Sequence, residues 1–480
     1  MLLSQKIHLA LPIATCMAIL TGSLAETCGQ APGERVVVTA NVETKIYKEN
    51  VDKVYTGDIH TVIAVNGAWC ALNRVKGWLP SRYVISLKSA MQLYEKRIKD
   101  NENDSDAFAF RGMLFYEVDD YAKADADFTQ SLRLNPKNAA TWSNRGMVRK
   151  LMQDYAQALA DFDQALTINP EYAGAYYNRG LVQFELGQFK ESIDSYDQAD
   201  EHQPNDPWTL INRGFAKQSL GNRGSAEDDF LAAIELDGNL AESYIGMSNL
   251  KLDENDLADA LKYANLAVEK HPRNGMALNS RGWVKFKMGE LSDAMQDFDL
   301  AIRYAPQQSI IYNNRGVCYA EQEKYQQAIG NYSRAIKLFP RSAVAYSNRG
   351  TAYMGTSQFD RAQQDFEKAI EYAPRLTDAV NGYAWFLATC PSDKYRDGDK
   401  ATELANSACE LSDWKDWSHL DTLAAAYAET GDFEKAVNMA ERAAKLAPDT
   451  VQDKCRDRIT LYRSGKPLRS NQGKPSLGSS

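Results

Sequence analysis

The chain has 480 residues, of which 44% are hydrophobic and 25% are charged. This balance is typical of a folded protein and excludes a largely disordered chain, which would contain fewer hydrophobic residues. The formal net charge of −9 argues against a nucleic-acid-binding protein, because such proteins usually carry a basic face. We therefore expect a folded, mildly acidic protein that does not have nucleic acid as its partner.

The first 25 residues have the features of a secretory signal peptide. Lys6 lies in a short polar start, residues 9–20 form an apolar run, and Ser23 and Ala25 place small side chains before a cleavage site. The apolar run is too short for a helix that spans a bilayer. We expect cleavage after Ala25, export to the periplasm or the extracellular space, and no membrane span in the mature chain.

Residues 34–88 show the pattern of a small β domain. Asn66-Gly67 lies between two apolar runs, 61–65 and 68–72, and Asn-Gly in this setting is a strong signal for a β-hairpin. A first strand, a turn at 57–58, this hairpin and a later Gly-Trp pair follow in an order that resembles a bacterial SH3-type barrel. The resemblance implies an all-β SH3-like module that either binds cell-wall peptides or packs against neighbouring parts of the chain.

Three aromatic residues of this module have different predicted roles. Trp69 lies in the hairpin and is predicted to be part of the barrel core. Trp78 and Tyr83 are the candidates for an exposed aromatic patch that contacts a ligand.

A repeat of 34 residues organises the rest of the chain. Asn-Arg-Gly or a close variant recurs with this spacing, and Met247 stands at the one position where the arginine is missing. A proline closes most units, because proline cannot continue a helix. The arginines of the series are Arg111, Arg145, Arg179, Arg213, Arg281, Arg315 and Arg349.

Each unit has the apolar spacing of two amphipathic helices joined by a turn. In one unit, Trp142, Gly146, Ala158, Phe162 and Pro170 have the spacing of a tetratricopeptide repeat (TPR), so the chain resembles TPR proteins. The resemblance implies a mainly α fold, an α-solenoid superhelix of about ten helix-turn-helix units over 105–450. The ten predicted repeats are 105–138, 139–172, 173–206, 207–240, 241–274, 275–308, 309–342, 343–376, 377–416 and 417–450.

The segments that flank the repeats are predicted to close the solenoid. Residues 89–104 have the pattern of a lone second helix and are predicted to be an N-terminal capping helix. Residues 451–463 are predicted to be a polar C-terminal capping helix, because solenoids need such caps for solubility. Residues 464–480 are rich in Gly, Ser, Pro and Lys and are predicted to be a disordered tail.

No pattern in the sequence predicts an enzyme. The five histidines are scattered, and no zinc-protease helix motif, nucleophile elbow or phosphate-binding glycine loop is present. No two cysteines have C-x-x-C spacing, so we expect no metal, no cofactor and no catalytic residue. Most cysteines are predicted to be small buried apolar residues. A disulfide between Cys390 and Cys409 is the alternative for that pair.

The repeated arginine is predicted to pair with an acidic residue of its own repeat. In most repeats an aspartate follows the arginine by sixteen residues, and where Met247 replaces the arginine the corresponding residue is Tyr263. Ser195 and Asn331 are weaker acceptors in two other repeats. This covariation predicts structural pairs that fix the register of the helices. The predicted pairs are Arg111 with Asp127, Arg145 with Asp161, Arg213 with Asp229, Arg281 with Asp297, and Arg349 with Asp365.

The resemblance also implies a partner-binding surface on the first helix of each repeat. In TPR proteins the second, fifth, ninth, twelfth and thirteenth positions of this helix, here called the inward positions, line a concave groove. Large apolar residues at the inward positions of this sequence are Tyr177, Leu181, Phe184, Trp208, Ile211, Phe215, Trp283 and Phe286. Exposed apolar groups of this kind usually contact a partner. The alternative is that they pack against the next repeat.

Asparagines follow the fifth position in several repeats and are predicted to border the groove. Their amides are suited to hydrogen bonds with the backbone of an extended peptide. The alternative is that they only satisfy polar groups of the helices. The predicted groove asparagines are Asn178, Asn212, Asn314 and Asn348.

Together these features predict an exported protein-interaction scaffold that binds a protein or peptide partner in its concave groove. The alternative is a cell-envelope factor that holds peptidoglycan or wall enzymes through the SH3-like module, with cell-wall material as a partner. An enzyme is the least supported class, because no catalytic constellation is present.

Overall fold

The computed structural model describes residues 84–470 without interruption and six short strands before them. Residues 1–34, 39–41, 47–48, 55–58, 67–68, 73–78, 81–83 and 471–480 lie outside the described part of the chain. The predicted signal peptide, Trp78 and Tyr83 fall in these segments and remain predictions. The chain forms two compact units, 1–238 and 239–480.

The N-terminal strands pair in antiparallel fashion. They are β1 (Arg35–Val38), β2 (Val42–Ile46), β3 (Glu49–Val54), β4 (Ile59–Asn66), β5 (Trp69–Leu72), β6 (Leu79–Pro80) and β7 (Val84–Ser86). Five of them form one sheet in the order β6-β5-β4-β1-β7, and β2 pairs with β3. Asn66 of β4 lies opposite Trp69 of β5, so the hairpin predicted between them is present. The assignment of 34–88 to an SH3-like barrel stays a prediction.

The remaining described residues of the first unit form nine helices. They are α1 (Leu87–Asp100), α2 (Ser105–Glu117), α3 (Tyr121–Leu134), α4 (Ala139–Leu151), α5 (Tyr155–Ile168), α6 (Ala173–Glu185), α7 (Phe189–His202), α8 (Pro207–Ser219) and α9 (Arg223–Leu236). The first helix, α1, lies where the N-terminal capping helix is predicted. The others form two helices in each of the first four repeats.

The described residues of the second unit form thirteen further helices. They are α10 (Ala241–Asp253), α11 (Leu257–Lys270), α12 (Gly275–Lys287), α13 (Leu291–Tyr304), α14 (Ser309–Glu321), α15 (Tyr325–Leu338), α16 (Ala343–Gly355), α17 (Phe359–Tyr372), α18 (Thr377–Thr389), α19 (Gly398–Leu411), α20 (Trp417–Glu429), α21 (Phe433–Leu446) and α22 (Gln452–Arg463). Repeats five to ten again contain two helices each, and α22 lies at the predicted C-terminal cap.

The turn inside every repeat except the ninth contains one residue in the left-handed backbone region. Gly187 has φ of 73° after α6, and Gln188 donates its backbone N–H to the Gln183 carbonyl at 2.8 Å. This hydrogen bond is the closing contact of a Schellman motif, which favours glycine because glycine has no Cβ. Gln153 occupies the same place one repeat earlier with φ of 64°, so the geometry of the turn persists without glycine.

The repeated arginine binds the second helix of its own repeat. Arg145 donates from Nε and Nη2 to the two carboxylate oxygens of Asp161, at 2.9 and 2.7 Å. The structure forms all five predicted arginine–aspartate pairs in this two-pronged geometry. Such pairs combine charge with two parallel hydrogen bonds and therefore fix orientation as well as distance.

The same arginine also contacts the preceding repeat, which the sequence analysis did not predict. Its remaining Nη1 donates to a residue sixteen positions earlier, on the second helix of that repeat. The acceptors are Thr129 for Arg145, Asp163 for Arg179, Asp197 for Arg213, Asp299 for Arg315, and Ser333 for Arg349. One side chain thus links two helices within a repeat and joins that repeat to the one before it.

A glycine one residue after the arginine lets the two helices of a repeat approach each other. A Cβ at Gly316 would lie 2.6 Å from the ring of Tyr332, and one at Gly146 would lie 2.8 Å from the ring of Phe162. Both rings are buried in the core between the helices. The glycine is therefore required by packing and not by backbone conformation.

Four cysteines of the described chain are buried and form no disulfide: Cys318, Cys390, Cys409 and Cys455. The alternative of a disulfide between Cys390 and Cys409 is therefore not realised. Within the described ranges, no group of acidic, histidine or cysteine side chains is arranged to hold a metal ion. In the same part of the chain, no helix is both long and apolar enough to cross a bilayer.

Replacing Arg349 by methionine should destabilise the protein by about 3 kcal/mol, because Asp365 would remain buried without its cation. Burial already raises the pKa of Asp365, and the Arg349 guanidinium opposes this rise. A carboxyl with a raised folded pKa costs more stability as pH increases above its unfolded pKa. The stability that Arg349→Met loses relative to the wild-type protein should therefore be larger at pH 7 than at pH 4, as measured by thermal melts.

Two variants control this prediction. Arg145→Met should cost less, because Asp161 keeps a second cation, Arg149, at 2.9 Å. Arg349→Met combined with Asp365→Leu should recover part of the loss. Equal losses for the two single variants would contradict the role assigned to the unpaired carboxylate.

Two glycines of the seventh repeat provide a test of the close approach between its helices. Gly316→Ala should destabilise the protein by about 1–3 kcal/mol, since the added methyl group overlaps the Tyr332 ring. Gly330→Ala should stabilise it by about 0.5–1 kcal/mol, because Gly330 lies in α15 with open space around it. Chemical denaturation of both variants measures the difference, and a neutral Gly316→Ala would contradict the packing argument.

Candidate functional site

The inward positions of α6 form a partly open apolar surface in the first unit. Leu181 is buried, whereas Tyr177 and Phe184 are half-buried. Phe184 meets the edge of Phe189 with ring centroids 5.3 Å apart, so the second helix of the repeat fixes its orientation. Leu181 belongs to the core, and the two aromatic rings keep surface that a partner can contact.

The inward positions of α8 continue this surface in the next repeat. Ile211 is buried and contributes to packing. This agrees with the alternative prediction, in which such residues pack against neighbouring helices instead of a partner. Trp208 and Phe215 are half-buried. Phe215 meets the edge of Phe230 at a centroid distance of 5.1 Å. Four of the six predicted apolar residues in this unit therefore keep exposed surface.

Tyr177 connects the two repeats through a hydrogen bond. Its hydroxyl accepts from the Asn212 amide nitrogen at 2.8 Å. Burial raises the pKa of Tyr177, Asp206 raises it further, and the Asn212 hydrogen bond lowers it. The phenol therefore stays neutral at physiological pH, and its ring is held in a fixed position.

The second unit carries an aromatic pair with a cation above it. Trp283 and Phe286 of α12 are stacked with centroids 5.0 Å apart and are mostly buried. The Lys287 amine lies 5.0 Å from the centre of the Trp283 ring, within the range of a cation–π contact. Lys287 keeps solvent exposure, so its charge is accessible to a ligand.

Lys287 is close enough to Asp378 of α18 for their charges to interact. Surrounding protein lowers the pKa of Lys287, while Asp378 raises it. Burial raises the pKa of Asp378, and both His419 and Lys287 oppose this rise. Inward positions of the sixth and ninth repeats therefore influence each other across this unit.

All four predicted groove asparagines are buried, and Asn212, Asn314 and Asn348 are hydrogen-bonded to other side chains. Asn314 donates to Asn279 at 3.1 Å, and Asn348 donates to Asn313 at 3.0 Å. Asn313 in turn donates to Asn314 at 3.4 Å, which joins the two pairs into one chain of amides. These amides therefore have hydrogen-bond partners within the protein. This agrees with the alternative prediction, in which the asparagines satisfy polar groups of the helices and do not bind a peptide.

Asn178 differs from the other predicted asparagines. It is buried, and its side-chain oxygen has no hydrogen-bond partner within the described residues. This oxygen is almost inaccessible to solvent, so a ligand reaches it only if neighbouring side chains move. The peptide-binding role of Asn178 stays a prediction.

Four residues of this surface were not predicted from the sequence: Lys287, Asp378, Asn279 and Asn313. All four occupy inward positions, namely the thirteenth, second, fifth and fifth of their helices. Their positions in the repeat are a sufficient signal, although none of them is a large apolar residue or an asparagine that follows the fifth position. Lys287 and Asp378 interact through their charges, and Asn279 and Asn313 bond to Asn314 and Asn348. These interactions depend on the stacking of repeats and have no signal in a single repeat.

Models of the tetratricopeptide repeat family match several parts of the chain, which together amount to more than half of its residues. The matched segments are 105–138, 148–187, 173–206, 245–309, 309–342, 343–376 and 420–450. No curated protein sequence matches the chain.

Solved structures with a similar fold come from several organisms. A tetratricopeptide repeat protein from Parabacteroides merdae is 19% identical, with a TM-score of 0.45 over 56% of this chain and 99% of its own. Yeast Tom70 is 18% identical, with a TM-score of 0.40 over 79% of this chain and 92% of its own. The human IFIT1 dimer with m7Gppp-AAAA is 15% identical, with a TM-score of 0.48 over 76% of this chain and 95% of its own.

These structural similarities concern the repeat fold alone, because the identities and TM-scores are low. The expectation that nucleic acid is not a partner remains a prediction. The period of 34 residues, the ten helical pairs and the matches to the family models all agree. The chain belongs to the tetratricopeptide repeat family.

Proposed function

We propose that this protein is an exported scaffold that binds an apolar segment of a protein or peptide on the inward positions of its repeats. Membership of the tetratricopeptide repeat family supports a role in protein interaction. The observation that carries the proposal is the set of half-buried aromatic rings on two adjacent repeats. These are Tyr177, Phe184, Trp208 and Phe215.

Aromatic rings in this state favour binding for two physical reasons. Each ring removes a large apolar area from water when a partner covers it, and aromatic residues are enriched among the residues that dominate binding energy. Phe189 and Phe230 hold Phe184 and Phe215 by edge contacts in the free protein. Little side-chain entropy is then lost on binding, which improves affinity.

The amide chain of the second unit has a different proposed role. Asn279, Asn313, Asn314 and Asn348 already bond one another. A peptide that used these amides fully would have to replace those bonds, with little net gain in free energy. We therefore propose that aromatic side chains supply most of the affinity and that the asparagines mainly order the first helices.

The N-terminal module and the signal peptide complete the proposal. The predicted signal peptide supports export, and the proposed location of the scaffold is the periplasm or the extracellular space. Arg35 of β1 donates to the Glu117 backbone carbonyl at 2.6 Å and also forms an ion pair with the Glu117 carboxylate. This contact supports a module that packs on the first repeat rather than one that extends freely to hold the cell wall.

The binding surface can be tested by capture from an envelope extract of the source organism. Immobilised mature protein should retain at least one protein that a Phe184→Glu/Phe215→Glu variant retains at least tenfold less. The physical reason is that two buried charges would oppose an apolar partner. Quantitative mass spectrometry of the bound fractions measures the difference.

A matched control places the same charges on exposed residues of the same two repeats that are not inward positions. Leu186 and Leu220 are exposed at the ends of α6 and α8, so Leu186→Glu/Leu220→Glu should retain the partner. Trp208→Ala serves as a second binding variant without added charge, in case the glutamates unfold a repeat. Equal recovery from wild type, Phe184→Glu/Phe215→Glu and Trp208→Ala would contradict the proposed surface.

The alternative of cell-wall binding has a separate test. Purified peptidoglycan should not retain the wild-type protein in a sedimentation assay, because the proposed surface recognises an apolar protein segment. Retention that disappears in a Trp78→Ala/Tyr83→Ala variant would assign wall binding to the SH3-like module instead. Retention that these substitutions do not change would also contradict the proposal.

A further inference from the structure

After α22 the chain turns back and contacts the last two repeats. Gly465 has φ of 70°, and Lys466 donates its backbone N–H to the Leu461 carbonyl at 3.3 Å. These are features of a Schellman motif, and Pro467 then prevents the helix from continuing. The local sequence Gly-Lys-Pro therefore ends α22 and redirects the chain.

The returning segment contacts the ends of two first helices. Leu468 packs against the apolar clusters of the ninth and tenth repeats. Arg469 forms an ion pair with Glu429 at the end of α20, at 2.6 Å. Ser470 donates its backbone N–H to the Thr389 carbonyl at the end of α18, at 2.9 Å. The prediction of a disordered tail from 464 did not include these contacts.

The two acceptors lie on the surface that the repeat pattern assigns to partners. Thr389 and Glu429 are the thirteenth residues of α18 and α20, and thirteenth positions are inward positions. Trp385, at the ninth position of α18, is covered by the Arg458 guanidinium of α22 at 5.1 Å. The inward side of the last two repeats is thus occupied by the chain's own C-terminal residues.

We propose that this surface is a binding subsite for an extended segment in which an apolar residue is followed by arginine, and that residues 466–470 occupy it in cis. The apolar clusters receive the leucine, the Glu429 carboxylate receives the arginine, and the Thr389 carbonyl receives a backbone N–H. The inference rests on the proposed function in one respect, since it takes the inward positions as the face where peptides bind.

The occupying segment is held by contacts that a competing peptide can replace. It has no secondary structure, Leu468 is only half-buried, and the Arg469 side chain keeps 35% of its surface exposed. Exposed ion pairs and single hydrogen bonds contribute little each. A tethered segment has an effective concentration on the order of millimolar, so competition in trans requires either a tighter ligand or release of the tail.

The test uses a fluorescent peptide with the sequence of residues 465–472 and measures its binding by fluorescence anisotropy. A full-length Leu468→Ser/Arg469→Glu variant should release its own tail. It should bind the peptide at least tenfold more tightly than the wild-type protein does. A peptide with the same two substitutions should not bind. Adding Glu429→Gln to the released variant should weaken binding of the original peptide at least threefold.

Three outcomes would overturn the inference. In the first, the released variant does not bind the peptide. In the second, the wild-type protein binds the peptide as tightly as the released variant does. In the third, the Glu429→Gln substitution does not weaken binding. Circular dichroism and thermal melting establish that the released variant is folded. If the released variant is not folded, hydrogen exchange of the wild-type protein is the deciding measurement, because a docked tail protects the Ser470 amide. An unprotected Ser470 amide would contradict the docked tail.

The proposed function and this inference fail separately. The peptide assay involves only the ninth and tenth repeats, whereas the envelope capture depends on Phe184 and Phe215 of the third and fourth. Peptide binding without a captured protein would support the subsite and contradict the proposed function. Capture without peptide binding would support the proposed function and contradict the subsite.

Discussion

The fold depends most on one side chain that recurs with the repeat, the arginine of the first helix. Its Nε and Nη2 bind an acceptor on the second helix of the same repeat, and its Nη1 reaches the second helix of the preceding one. A buried ion pair of this kind adds little net stability, because desolvation offsets the attraction. What it provides is geometry, since its donors bind acceptors both in its own repeat and in the preceding one. Apolar packing supplies the stability, and the arginine selects the arrangement.

This division leaves the inward positions free to vary. The arginine, the glycine after it and the aromatic ring that contacts this glycine occupy the space between the helices. Some inward residues, such as Leu181 and Ile211, also belong to the core, but the inward positions differ between repeats. They carry partly exposed aromatic rings in the third and fourth repeats, and an aromatic pair with a lysine in the sixth. In the ninth and tenth repeats the chain's own C-terminus covers them.

The sequence predicted the helical pairs because the signals that define them are local. Arginine, glycine and proline recur with a fixed spacing, and helical periodicity then determines which side each residue faces. The acceptors Thr129, Asp163 and Ser333 were not predicted, because their residue type varies and their role depends on how repeats stack. The same reason applies to the electrostatic interaction of Lys287 with Asp378. The docking of Leu468 was missed because a polar segment rich in glycine and serine resembles a disordered one in composition.

The central claim is that partners bind at the inward positions of the third and fourth repeats. The most direct measurement is site-specific photo-crosslinking in an envelope extract, with a photoreactive phenylalanine at Trp208 in one protein and at Leu231 in another. Trp208 is an inward residue of α8, and Leu231 is an exposed residue of α9, the second helix of the same repeat. The account predicts that a specific protein is crosslinked from position 208 and not from position 231. Crosslinking of that protein from 231 alone would show that the partner binds another face and would contradict the account.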